Sequence, residues 1–309
     1  MLKVQCLAPR RLVAEWTPHL EAAFDEAGIT ASLGTDFAPE TVDYVIYAPG
    51  KGAADLSDYT RTKAVLGLWA GVESIIANDT LTQPYARMVD TGLTEGMVEW
   101  VTGHVLRHHL GLDQHISRTA PDWTHAAPPL ARSRKVAVLG LGELGAACAR
   151  ALSALNFVVT GWSRSPKSIP GVACFHGAAG LDEVLTSAEI LVLLLPSTPD
   201  TENTLNARTL ALIPEGAVIL NPGRGALIDD DALLAALDAG RIGHATLDTF
   251  RIEPLPEDHP YWSHPRVTVT PHIASETRPE TASRVVARNI RRVEAGEPLL
   301  NEVDKRRGY

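Results

Sequence analysis

The feature that most constrains this chain is a strand that runs straight into a glycine turn and then into an alanine-rich helix. It reads KVAVL, then Gly140-Leu141-Gly142-Glu143-Leu144-Gly145, then AACARALSALN. A bare GxGxxG says little, but between a strand and a helix each glycine has a physical reason. The first makes a tight turn, the second lets backbone approach a pyrophosphate, and the third lets the helix pack closely on the strand. The helix N-terminus, with Glu143 and Leu144 in its first turn, is then an anion site.

Around this unit strands and helices alternate: KVAVLG, the glycine-turn helix, FVVTGWS, a helix around LDEVLTSA, EILVLLLP, GAVILN, HATLDT and VTVTPH. Such alternation, with leading strands that are near-continuous apolar runs, predicts an α/β doubly wound parallel sheet covered on both faces. A looser series precedes it: VQCLA, LVAEWTPHLEAAFDEAG, DYVIY, AVLGLW, ARMVD and GLTEGMVEWVTGHVLRHHL. A second α/β domain is expected there, and 309 residues are enough for two. Between the series, HISRTAPDWTHAAPPLARSR has no periodicity and reads as a surface linker or as an arm packing on another subunit. After the last strand, Ala282, Val285, Val286, Ile290 and Val293 share a helical face that ends at Gly296. Which domain receives that helix is open at this level.

The chain carries 28 Lys+Arg against 37 Asp+Glu, a net charge of −9, which argues against a general nucleic-acid binder. Any anionic ligand therefore needs a local cluster of cations and amides. Cys6, Cys148 and Cys174 have no CxxC spacing and read as reduced, structural thiols. No apolar run approaches the ~20 residues of a membrane span, and the first residues lack the apolar core of a leader, so a cytoplasmic protein without a membrane partner is expected. His104 and His108 stand four apart on a helix with no carboxylate or Cys nearby to complete a site. No metal is expected there; a polar helix face or a subunit contact is. Lys305, Arg306 and Arg307 read as a solvated or salt-bridged terminus.

An NAD-selective site places an acid about twenty residues beyond the glycines, to bond the ribose 2′-hydroxyl. This chain has Gly161-Trp162-Ser163-Arg164-Ser165-Pro166-Lys167 there. Ser163 can donate to a phosphate oxygen, Arg164 can bind one bidentately, and Lys167 can neutralise it, so NADP(H) is preferred, with NAD(H) possible. Further on, Arg224, Glu253 and His272 stand in three segments near the ends of later strands, NPGRG, DTFRIEP and TPH. In a doubly wound sheet those ends face the ligand crevice. Reduction of a 2-oxo acid needs that set. Arg224 would clamp the carboxylate and polarise the keto oxygen. His272 would protonate the forming alkoxide, and Glu253 would hold the imidazolium and raise its pKa.

The runs VLGLGELG, LLLPSTPDTENTLN, NPGRGALIDDDALLAALDAGRI, LDTFRIEPLPEDHPYWSHPRVTVTPHIAS and the terminal VDKRRGY resemble the D-isomer-specific 2-hydroxyacid dehydrogenases, and WSRSPKSIPGV is similar to their glyoxylate/hydroxypyruvate reductase A branch. The resemblance is strong over about residues 135–275 and traceable over about 40–112. It implies Arg224, Glu253 and His272 as catalytic residues and Asp248 as partner of the nicotinamide carboxamide. It also places Leu195, Pro196 and Thr201 along the adenosine half of the cofactor, the Pro222 backbone near the nicotinamide, and Trp162 beside the 2′-phosphate cluster. It implies a Rossmann-type cofactor domain over 100–275 and a flavodoxin-like substrate domain made of 1–99 and 276–309, with a cleft between them. Residues 115–134 would then be the arm of a homodimer. Where relatives often read GAGVD, this chain has Trp69-Ala70-Gly71-Val72-Glu73, so the Ala70 and Gly71 amides can still bind a carboxylate. Trp69 either narrows the pocket or packs outwards under the domain. Tyr47 is expected as a pocket wall, and the reach of Lys51 is open. The expected activity is NADPH-dependent reduction of glyoxylate or hydroxypyruvate, with bulkier 2-oxo acids such as phenylpyruvate as one alternative and a non-catalytic NAD(P)-sensing protein as another.

Overall fold

The structure, a computed structural model, describes residues 1–50 and 54–305, apart from the side chain of Ser74. Lys51, Arg306, Arg307 and Tyr309 lie outside the described residues. The chain forms two compact units, one of Met1–Leu93 with Glu276–Tyr309 and one of Thr94–Ser275.

The first unit is built on β1 (Leu2–Leu7), β2 (Ala31–Gly34), β3 (Tyr44–Tyr47), β4 (Ala64–Gly67) and β5 (Tyr85–Ala86), with α1 (Arg10–Glu26), the short α2 (Glu73–Ile76) and the C-terminal α9 (Pro279–Glu294). All its strand pairs are parallel and the order is β2-β1-β3-β4-β5, the flavodoxin-like winding. Helix α9 belongs to this unit because its apolar face meets α1: Ala282, Val286 and Ile290 are buried in one core with Trp16, Leu20 and Phe24. The opposite face of the sheet closes on Val45, Leu56, Val65, Leu81 and Tyr85.

The second unit contains α3 (Thr91–His109), α4 (Leu112–Ile116), β6 (Lys135–Leu139), α5 (Glu143–Ala154), β7 (Val158–Ser163), β8 (Val172–His176), α6 (Gly177–Ser187), β9 (Ile190–Leu193), α7 (Ala207–Leu212), β10 (Ala217–Asn221), α8 (Asp230–Asp238), β11 (Ile242–Leu247) and β12 (Val267–Val269). Its seven parallel strands run β12-β11-β10-β9-β6-β7-β8, so the order reverses between β6 and β9. That is the dinucleotide-binding winding with one added strand, and its switch point lies beside the glycine turn. Strand β9 and the apolar run Val136 to Leu139 of β6 are fully buried, as continuous apolar runs covered on both faces should be.

Three expectations need correcting. The first boundary falls at Leu93 rather than after residue 99, because Met97, Val101 and Val105 of α3 already pack in the second unit's core with Val136 and Val138. Two further strands are present, β2 (ASLG), which no apolar run marks, and β8 (VACFH), whose only sign is the short apolar run 172–175. Both are edge strands, half-buried or exposed along their length, and an edge needs only one face covered. The histidines near the end of α3, expected as a polar helix face or a subunit contact, pack largely within the second unit. His109 is buried, and His108, half-buried but with its side chain almost enclosed, pairs through Nε2 with Thr246 Oγ1 on β11 at 2.9 Å. Burial, reinforced by neighbouring charge on His244, pushes the His108 pKa down to about 3. Among the described residues no three His, Cys, Asp or Glu are grouped to hold a metal. The cysteines are free, and burial pushes Cys6 and Cys148 up to about 12, as inert core thiols.

Candidate active site

The carboxyl edge of the seven-stranded sheet carries the predicted chemistry. At the end of β6, Gly140 has φ +103°, and an added Cβ would lie 2.4 Å from the Leu194 carbonyl oxygen. A Cβ on Gly145 would lie 1.7 Å from the Gly140 oxygen, so α5 can start against this turn only with glycine there. Gly142 differs: an added Cβ meets nothing within 4 Å. No packing within the protein requires glycine at that position, whereas a ligand lying on the turn does. Gly142 is also the N-cap of α5 and offers no side chain to the first-turn amides. These are the features a dinucleotide pyrophosphate fits.

Strand β7 ends at Ser163, beside β6, and leads into Arg164 and Lys167, both exposed. Ser163 is buried and donates to the Ser165 carbonyl at 2.8 Å, which tightens the turn that presents the two cations. The Trp162 indole donates to the Gly177 carbonyl at 2.8 Å, so its ring is held by the start of α6. After β9, Leu195 is buried and Pro196 half-buried. The Thr201 hydroxyl is committed to this loop: it accepts from the Thr198 amide at 2.9 Å and donates to the Pro196 carbonyl at 2.6 Å. Thr201 therefore shapes the loop rather than offering its hydroxyl outward.

Arg224 follows β10 in the turn opened by buried Pro222. Asn221, buried, braces that turn from within by accepting the Gly223 amide at 3.2 Å and donating to the Arg224 carbonyl at 2.9 Å. The Arg224 guanidinium folds back to the Gly223 carbonyl at 2.8 Å. One loop over, after β11, the Phe250 amide donates to Glu253 Oε1 at 2.8 Å. The other oxygen of Glu253 lies 2.7 Å from Nδ1 of His272, which follows β12. The structure thus brings the predicted glutamate and histidine into direct contact, with both side chains part-exposed.

His272 has φ +55°, a left-handed conformation costly for a residue with a Cβ. What holds it is Asp248. That carboxylate is fully buried; Oδ1 accepts from Thr270 Oγ1 at 2.6 Å and from the Ile273 amide at 2.9 Å, and Oδ2 accepts from the Ala274 amide at 2.9 Å. The His272 amide itself donates to the Asp248 carbonyl at 2.9 Å. Sequence reasoning marked Asp248 but not this anchoring, and missed Asn221 as a brace. The sign available for Asn221 was a lone amide ending an apolar strand.

On the first unit, Tyr47 ends β3 and is buried, and Trp69, Ala70 and Gly71 follow β4 at the same sheet edge. Trp69 packs against the core around Val4, Trp16 and Met88, which is the outward-packing alternative.

A dinucleotide turn at the switch point and a carboxylate–imidazole pair beyond the ends of β11 and β12, on the same carboxyl edge of the sheet, are the features of a nicotinamide-nucleotide-dependent dehydrogenase. Residues 102–274 match the family model described as D-isomer specific 2-hydroxyacid dehydrogenase, NAD binding domain. The chain belongs to the D-isomer specific 2-hydroxyacid dehydrogenase family. It is 37% identical over 303 residues to the glyoxylate/hydroxypyruvate reductase A of Serratia proteamaculans, with 96% of each chain covered. Among solved structures it resembles a family member from Xanthobacter autotrophicus in complex with NADPH and MES, at TM-score 0.90 and 40% identity over 100% of this chain and 99% of that one. The NADPH-dependent glyoxylate/hydroxypyruvate reductase of Sinorhizobium meliloti, in complex with NADP and sulfate, matches at TM-score 0.82 and 33% identity, over 100% of this chain and 99% of that one.

Proposed function

We propose that this protein reduces small 2-oxo acids, glyoxylate and hydroxypyruvate first among them, to 2-hydroxy acids with NADPH as reductant. The observation that carries the reading is the 2.7 Å contact of His272 Nδ1 with Glu253 Oε2, on the sheet edge that also bears Arg224. The names of the Serratia and Sinorhizobium relatives support the substrate class, and the bound NADPH and NADP of the solved relatives support the cofactor.

In the imidazolium form of His272, Glu253 accepts the Nδ1–H hydrogen bond and Nε2 gives its proton to the forming alkoxide oxygen, which leaves the neutral Nδ1–H tautomer paired with Glu253. Glu253 then steadies the charge balance as that proton leaves. Arg224 pairs with the substrate carboxylate and polarises the keto oxygen. The amides at the start of α5 hold the pyrophosphate, and Arg164 and Lys167, on the turn that Ser163 tightens, meet the 2′-phosphate. Asp248 keeps the His272 loop in place and faces the carboxamide side. Bound NADPH supplies the hydride. On the first unit taken by itself, the Ala70 and Gly71 amides are offered to a carboxylate.

The enzyme works as a cytoplasmic homodimer in this reading. Residues 117–130 are exposed throughout, with Trp123 wholly so, as an arm awaiting a second copy would be. No helix among the described residues is long and apolar enough to cross a membrane. The test follows NADPH absorbance with glyoxylate, wild type beside His272→Ala. His272→Ala should lose about 10²–10⁴-fold in kcat while still binding NADPH. Equal turnover by the two proteins overturns the reading.

A further inference from the structure

We propose that Arg251 is a positioning residue that sets the separation between Arg224 and the Glu253–His272 pair; the inference rests on the catalytic reading above. The β10–β11 ladder ends where Asn221 pairs with Leu247, and the Asp248 amide adds one last bond to the Asn221 carbonyl at 3.0 Å. Everything catalytic lies beyond that point, on loops the ladder no longer registers. Two devices bridge them. One is steric: a Cβ on Gly225 would lie 2.0 Å from the Phe250 carbonyl carbon and 2.3 Å from the Arg251 nitrogen, so the two backbones already touch.

The other device is the Arg251 side chain. Its Nε and Nη2 both donate to the Ile228 carbonyl, at 3.1 and 2.6 Å, and Nη2 also reaches the Ala226 carbonyl at 3.3 Å. The same guanidinium donates to Asn203 Oδ1 and, through Nη1, to Glu202 Oε1 at 3.3 Å. Asp230 Oδ2 lies 3.8 Å from Nε, so a second carboxylate faces the same guanidinium. One planar group thus ties the loop of Glu253 to the far side of the Arg224 turn and to the 201–205 loop.

That third loop is itself docked on the arginine turn. The Asn203 amide donates to the Ala226 carbonyl at 2.9 Å, the Leu205 amide to the Leu227 carbonyl at 2.9 Å, and the Asp229 amide to the Leu205 carbonyl at 2.8 Å. Arg251 stands next to Phe250, whose amide holds Glu253, which in turn holds His272. A 2-oxo acid must meet Arg224 and His272 together, so this separation decides whether both contacts form at once. A lysine keeps the charge but not the fork that spans several acceptors.

The experiment measures glyoxylate kinetics, NADPH dissociation constant and thermal midpoint for Arg251→Lys, Arg251→Met, Asn203→Ala and His272→Ala. Arg251→Lys should lose about 100-fold in kcat/KM, with kcat lowered and glyoxylate KM raised together, while its NADPH affinity and midpoint stay near wild type. Asn203→Ala should show the same split in milder form, which carries the test should Arg251→Met not fold. Glyoxylate kcat and KM within twofold of wild type in Arg251→Lys overturn the inference, and so does a loss matched by equal losses in NADPH affinity and midpoint. An active His272→Ala overturns the catalytic reading instead, so the two failures are told apart.

Discussion

Asp248→Asn probes the anchor of the catalytic loop with little change in shape. The amide oxygen can keep the two partners of Oδ1, Thr270 and Ile273, but the NH2 group then faces the Ala274 amide, which loses its acceptor. An orphaned buried donor costs about 1–3 kcal/mol, and the two surviving bonds lose their charge assistance, about 0.5–1 kcal/mol each. The sum is about 2–5 kcal/mol, which for a unit of this size lowers the thermal midpoint by roughly 5–15 °C. The same loss falls on the loop that holds His272 at positive φ, so kcat should drop even at temperatures where the protein is folded. Scanning calorimetry paired with glyoxylate kinetics reads both effects. A midpoint within about 1 °C of wild type and unchanged kcat would refute the anchoring argument.

Arg164→Gln with Lys167→Gln should raise the KM for NADPH by about 10–100-fold and leave that for NADH nearly unchanged, since at these exposed, screened positions the two charged contacts to the 2′-phosphate together are worth about 1.5–3 kcal/mol. Parallel shifts for both nucleotides in steady-state assays would mean that the cations do not meet the phosphate. Gly142→Val should keep the thermal midpoint and abolish NADPH binding by fluorescence titration, whereas Gly145→Val should cost folding, because only at Gly145 does an added carbon strike the protein itself. His108 and His244 are pushed down to about 3 and about 4, in each case by burial first, against about 6.5 in the unfolded chain. Folded values below the unfolded one mean that the stability is fully present above about pH 6.5 and is lost as pH falls towards 4 and 3. Denaturant midpoints across that window should fall steeply for the wild type and less so for His108→Asn; identical slopes would sink this assignment.

Local chemistry made much of the site legible. The glycine turn could be read because Gly140 and Gly145 answer to backbone geometry within a few residues of themselves. Arg224, Glu253 and His272 could be read because each sits just past a strand. The pairing of Glu253 with His272, 19 residues apart, is a long-range contact that no periodicity encodes. The Thr201 hydroxyl and the Asp248 carboxylate show the limit more sharply. Each also holds a loop, through hydrogen bonds to partners that no local pattern marks. Strand β2 left no mark because an edge strand can be short of apolar residues and still complete a ladder, and the four-residue apolar run of β8 is too short to tell a strand from a loop.

By itself the sequence determined that this is a pair of doubly wound α/β units, where the dinucleotide turn lies, and that cations rather than an acid follow the second cofactor strand. Those properties are set by residues adjacent in the chain, through turn sterics, apolar runs and short-range charge. Only the tertiary structure decided the strand orders, the α3 boundary, the placing of α9 on α1 and the braces of Asn221, Asp248 and Arg251 around the catalytic edge. These depend on which distant surfaces meet when the sheets form, a global outcome of burying apolar faces and satisfying backbone polar groups.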